Sequence, residues 1–180
     1  MTVYTALFAA LIAAGAYMVI PIGPVPIVLQ NFFVVLAGLL LGWRWGLACV
    51  GIYLLAGAIG LPVFAGGAAG IGRLVGPTGG YLLSYLPAAA IIGWVSAKGK
   101  GRLLVDILAM IMGVLVVYAG GVCWLKAISG ISWGKAVSAG LLPFVPGDIL
   151  KIAAAAPLAR TLRPVMAGVL ARPGGADADH

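Results

Sequence analysis

The chain has 180 residues, of which 63% are hydrophobic and 8% charged, and its mean hydropathy is +1.18. A soluble domain is about 25% charged; this composition cannot supply the polar shell a soluble core needs, which excludes the soluble classes and places the protein in a membrane. The net charge of +7 comes from bases lying between apolar segments, a pattern of membrane orientation and headgroup contact and not of nucleic-acid binding.

A span requires roughly 20 mostly apolar residues, and breaks fall at Pro, Gly and charge clusters. The chain then divides into six transmembrane helices at about residues 3–20, 27–41, 45–60, 80–96, 103–126 and 147–163. The expected fold is an all-α integral membrane protein. Residues 1–170 form a single six-helix membrane domain, and 171–180 form a disordered cytoplasmic tail. The N-terminal segment lacks a basic region and a cleavage site, so it reads as the first span and not as a signal peptide.

That first span holds "TALFAALIAAGA", in which Ala6, Ala10 and Ala14 recur every four residues, as do Ala9 and Ala13. Small residues at this spacing let a second helix approach closely, either inside the bundle or from a partner membrane protein. Loop 1 follows as "PIGPVP". Gln30 and Asn31 stand just inside the second span, where buried amides need partners: they bind ligand, bridge helices, or do one of each. "GWRWG" joins the second and third spans as a tight turn. Trp43, Trp45, Trp94 and Trp124 flank spans and read as interface anchors.

Loop 3, "LPVFAGGAAGIGRLVGPTGG", is too long and Gly-rich for a simple connector. It matches no nucleotide-binding pattern and reads as backbone packed close to a ligand, with Arg73 available to an anionic group. Loop 5, "KAISGISWGKAVSAGLLPFVPG", contains a short interfacial helix near residues 133–142, with Ser132 as its N-cap. Asp106 follows "KGKGR" and is accounted for by the helix dipole and pairing with Arg102. Cys49 and Cys123 lie within apolar runs and read as small buried hydrophobes.

Six spans place both termini on one side. Arg44, Lys98, Lys100, Arg102, Arg160, Arg163 and Arg172 fall on that side, against Arg73, Lys126 and Lys135 on the other. The positive-inside rule makes the termini cytoplasmic and leaves loops 1, 3 and 5 extracytoplasmic. The irregular segments therefore share one face, as a ligand site open to the outside requires. The last span begins on that face with "PFVPGDILK". Asp148 and Lys151 share a helix face one turn apart. They read as a capping pair, as a polar ligand pair, or as both, since an ionisable group at this depth faces a cavity or a partner. With no internal His, no Glu and no metal cluster, no catalytic constellation emerges.

Four motifs in order, "PVPIVLQN", "GLPVFAGG", "GPTGGYLLSY" and "PFVPGDILK", resemble the BioY family across nearly the whole chain outside its tail. These are biotin-specific substrate-binding (S) components of energy-coupling-factor (ECF) vitamin transporters. The resemblance implies a six-helix subunit that binds biotin from outside, in a bacterial cytoplasmic membrane. Its partners would be an ECF transmembrane coupling protein and ATP-binding subunits, with no enzyme activity and no cofactor. It tips Ala6, Ala10 and Ala14 toward docking of the coupling protein. It places the ligand at Asp148, Lys151, Gly66, Gly67, Gly79 and Tyr81, and the chemistry of the residues themselves adds Tyr85, Gln30 and Arg73 as candidates. Some relatives carry a polar residue in the Gly-rich loop where this chain has Ala68 and Ala69. An S component for another small vitamin, or a self-sufficient biotin carrier, are the alternatives.

Overall fold

The protein is described here by a computed structural model covering residues 1–20, 25–99 and 101–171, with side chains to Gly168. The tip of loop 1, Lys100 and the expected tail beyond Ala171, with Arg172 and His180, lie outside the described residues.

Helix α1 spans Thr2–Tyr17, followed by a two-stranded ribbon, β1 (Val19–Ile20) and β2 (Ile27–Val28). The strands pair antiparallel, Val19 with Val28 and Ile20 with Ile27. Then come α2 (Gln30–Ala58), a single 3₁₀ turn at Ala65–Gly67, α3 (Ile71–Val75) and α4 (Gly79–Lys98). The chain continues with α5 (Leu103–Ser129), α6 (Trp133–Gly140) and α7 (Val145–Ala171). By length and composition α2, α4 and α5 are each able to cross a bilayer. The pair α6–α7 also qualifies, bent by 43°, whereas α1 is a shorter apolar helix.

The second and third expected spans are both in α2, and its run is broken at Gly42 (φ 76°, ψ 179°). The chain reverses there. A Cβ on Gly46 would lie 3.2 Å from Gly38 Cα, although eight residues of continuous helix separate by about 12 Å. Only glycine adopts that φ without strain. The turn then packs on α4, since a Cβ on Gly93 would lie 2.3 Å from the Trp43 nitrogen.

The core is apolar along the facing sides of α1, α2, α4, α5 and α7, with Ile12, Val34, Val50, Ile92, Met110 and Ala155 among its buried residues. On α1, Thr5, Phe8, Ala9, Ile12 and Ala16 point inward, while Ala6, Ala10 and Ala14 are exposed. The two small-residue series thus separate, and the 6–10–14 series faces out.

Several local expectations need correction. The last helix is longer than 147–163, starting at Val145 and continuing through Ala171. Asp106 does not pair with Arg102, which is the exposed N-cap of α5. It is fully buried one turn further on and pairs with Arg163 at 2.7 Å. Arg163 is therefore turned into the bundle and is not one of the loop charges. Cys49 is buried, but Cys123 lies on the outer surface of α5. Trp43, Trp45 and Trp94 are exposed, whereas Trp124 turns into loop 3 and donates from Nε1 to the Gly76 carbonyl at 2.9 Å. Gly80 makes room for it, because a Cβ there would lie 2.2 Å from Trp124 Cβ.

Candidate functional site

The site begins with the first turn of α7. Phe144 O accepts from the Asp148 backbone N–H at 2.9 Å, so Asp148 lies inside the helix and is not its N-cap. Its carboxylate points inward and is almost fully buried. An isolated buried carboxylate is costly, and three donors from three elements offset that cost. Lys151 Nζ donates to Oδ1 at 2.9 Å, one helical turn on. Asn31 Nδ2, at the start of α2, donates to the same oxygen at 3.3 Å. Tyr118 Oη, from the middle of α5, donates to Oδ2 at 2.5 Å. Lys151 Nζ also donates to the Val28 carbonyl at 3.1 Å, tying α7 to the ribbon.

This cluster forms one wall of a small cavity of about 50 Å³, which Val25, Pro26, Val28, Tyr81 and Tyr85 also line. Those five residues are shared with a larger cavity of about 300 Å³. The larger lobe adds Gln30, Phe64 and Ala65, with Thr78 and the exposed Arg73 at its other end. The two lobes make one hollow. Asp148 and Lys151 give the small lobe a mutually neutralised, hydrogen-bonding pair, Tyr81 and Tyr85 line both lobes, and Phe64 and the Arg73 cation line the larger one.

Loops 3 and 5 hold this wall in place. Tyr81 Oη donates to the Gly140 carbonyl at 2.7 Å, which anchors α4 to α6. Tyr17 Oη donates to the Pro62 carbonyl, which anchors α1 to loop 3. Ser132 accepts from the Lys135 backbone N–H and caps α6. The hollow brings together six of the residues singled out from the sequence: Gln30, Arg73, Tyr81, Tyr85, Asp148 and Lys151.

Gly66, Gly67 and Gly79 are not among the lining residues; their neighbours Ala65 and Thr78 are. The glycines shape the loop behind the wall. Gly66 and Gly67 both have positive φ, and a Cβ on Gly79 would lie 1.8 Å from the Leu74 carbonyl oxygen. Trp124 sits behind that same loop. Sequence reasoning missed Tyr118 and Phe64. Tyr118 lies 30 residues from Asp148, and no local pattern marks the one tyrosine of α5 as its partner.

Among the described residues, three buried side-chain atoms have no hydrogen-bond partner: Gln30 Nε2, Asn31 Oδ1 and Tyr53 Oη. They come from the first turn of α2 and from its second half, where Tyr53 stacks edge-on against Phe64 at 5.6 Å. No group of three His, Cys, Asp or Glu able to hold a metal occurs among the described residues. The larger lobe is of the size that small-molecule sites have.

The fold and hollow thus define a helical membrane protein with a candidate site where polar and apolar side chains line one cavity. A family model described as the BioY family matches residues 1–168. A probable biotin transporter BioY from Pyrococcus horikoshii is 46% identical over 158 residues, 88% of this chain and 93% of that protein. The biotin transporter BioY of Thermotoga maritima is 42% identical over 158 residues, 87% and 92% of the two chains. A crystal structure of the S-component for biotin from an ECF-type ABC transporter superposes with a TM-score of 0.85 at 34% identity, covering 91% of this chain and 90% of that one. The chain belongs to the BioY family.

Proposed function

We propose that the protein is the biotin-binding membrane subunit of a vitamin uptake system, and that the hollow beside Asp148 is where biotin binds. It is a transport protein and not an enzyme. The observation that carries the reading is the match between hollow and ligand. Biotin has an uncharged ureido ring, an apolar thioether ring and a valerate carboxylate. The neutralised Asp148–Lys151 end suits the ureido ring, Tyr81 and Tyr85 suit the thioether ring, and Arg73 suits the carboxylate.

We read the chain as six membrane-crossing helices, counting the two halves of α2 separately. Both termini are cytoplasmic, and loops 3 and 5 face the outside of a bacterial cytoplasmic membrane. The reversal at Gly42 and the excess of Lys and Arg on one side support that reading. The outward row Ala6, Ala10 and Ala14 is the surface we assign to the ECF coupling protein, with ATP-binding subunits beyond it.

Titration of the purified, detergent-solubilised protein with biotin, thiamine and riboflavin tests the reading. Saturable binding of biotin alone is expected. Preference for either other vitamin, or no biotin binding, overturns it.

A further inference from the structure

The three orphaned atoms are not equivalent. Gln30 lies against the Tyr53 hydroxyl, so a small rotation lets those two satisfy each other. Asn31 has no such exit. Its Nδ2 is committed to Asp148 Oδ1, and that bond fixes which way the amide points. A flipped amide would set its carbonyl oxygen against a carboxylate oxygen, two acceptors facing each other. Oδ1 is thereby aimed away from Asp148 with no donor from the protein. Asn31 is 9% exposed and lines the small lobe. A buried amide oxygen without a donor is unfavourable, and a donor that arrives with a ligand relieves it.

Asp148 is correspondingly less available than its charge suggests. Oδ1 already accepts from Lys151 and Asn31, and Oδ2 from Tyr118. The carboxylate is held as an internal anchor, and its bond to Nδ2 leaves the Asn31 carbonyl oxygen directed away from it, on a residue that lines the small lobe. Loop 3 contributes only Phe64, Ala65, Arg73 and Thr78 to the larger lobe, and none of these is a buried free acceptor.

We propose that Asn31 Oδ1 is the acceptor that reads a ring N–H of the bound ligand, with Asp148 positioning it. The proposal rests on the ligand being biotin, whose ureido ring presents two N–H donors, and it makes Asn31 a specificity-determining residue.

The test uses two cyclic carbamate analogues of biotin, each with one ureido N–H replaced by oxygen. The shape is kept, but an acceptor replaces a donor. The full-length wild-type protein is expected to bind biotin and to reject one of the two carbamates by about 100-fold, since a site built around a hydrogen bond discriminates strongly against its loss. In Asn31→Leu, biotin binding falls by about 10- to 100-fold and the difference between the two carbamates shrinks to about 3-fold. Wild-type protein that binds biotin and both carbamates alike overturns the proposal, whatever the variant does. So does a folded Asn31→Leu protein with unchanged biotin affinity or unchanged discrimination. Wild-type protein that binds no biotin overturns instead the reading on which the proposal rests.

Discussion

Helix α7 carries a buried ion pair near each end, and the two differ in one respect. Near its C-terminal end, Arg163 holds Asp106 through both guanidinium nitrogens, at 2.7 and 3.0 Å. Ser96 Oγ donates to Asp106 Oδ1 at 2.6 Å, and Arg163 also donates to Ser96 Oγ and to the Leu39 carbonyl. Four helices converge there, and no atom of that cluster is among the orphans. Near the N-terminal end, Asp148 is equally well donated to, yet its neighbour Asn31 keeps an unused acceptor; each cluster borders a cavity. A buried charge pair whose valences are all filled is a fastening. One that leaves an orphan beside a cavity is a site. Charge and burial are alike in the two places, and only the hydrogen-bond accounting separates them.

Substitutions can break this contrast from either side. The largest effect on stability is expected at the fastening. Arg163→Ala leaves Asp106 buried without its countercharge and lowers stability by about 3–5 kcal/mol, read as a fall in Tm in detergent, while the fraction that stays folded keeps biotin affinity within about 3-fold. Lys151→Met should show the reverse balance. Biotin affinity drops by about 100-fold in titration calorimetry, with a smaller loss of Tm, because Asp148 keeps two neutral donors and faces a cavity that water can enter.

Tyr118→Phe removes one donor and is expected to weaken biotin binding by about 10- to 50-fold, near the worth of one hydrogen bond to a charged group. The smallest change is at the rim: Arg73→Gln weakens biotin by about 3- to 5-fold at low salt, and the difference vanishes at high salt or with biotin amide as ligand.

Much of this was legible in the amino-acid order, and the parts that were not share a cause. The Asp148–Lys151 pair is one turn apart, and "GWRWG" marks the reversal at Gly42, so both follow from local spacing. The partners of Asp148 do not. Asn31 is 117 residues away and Tyr118 is 30, and nothing in their own surroundings points to α7. Arg163 was misread for a related reason. At a helix end a basic residue facing headgroups and one turned into the bundle look alike in sequence, and the deciding contact is 57 residues away at Asp106. Gly66, Gly67 and Gly79 do not themselves line the hollow, whereas their neighbours Ala65 and Thr78 do: positive φ bends the backbone at 66 and 67, and Gly79 admits the Leu74 carbonyl.

The most direct test of the whole account is a biotin titration of Asp148→Asn beside wild type, both as full-length protein in detergent. The substitution keeps the shape but removes the anchoring charge, leaving Lys151 uncompensated and Asn31 free to flip. The account predicts saturable binding to wild type and a loss of at least about 10-fold in the variant. A folded Asp148→Asn protein that binds biotin as tightly as wild type would contradict it.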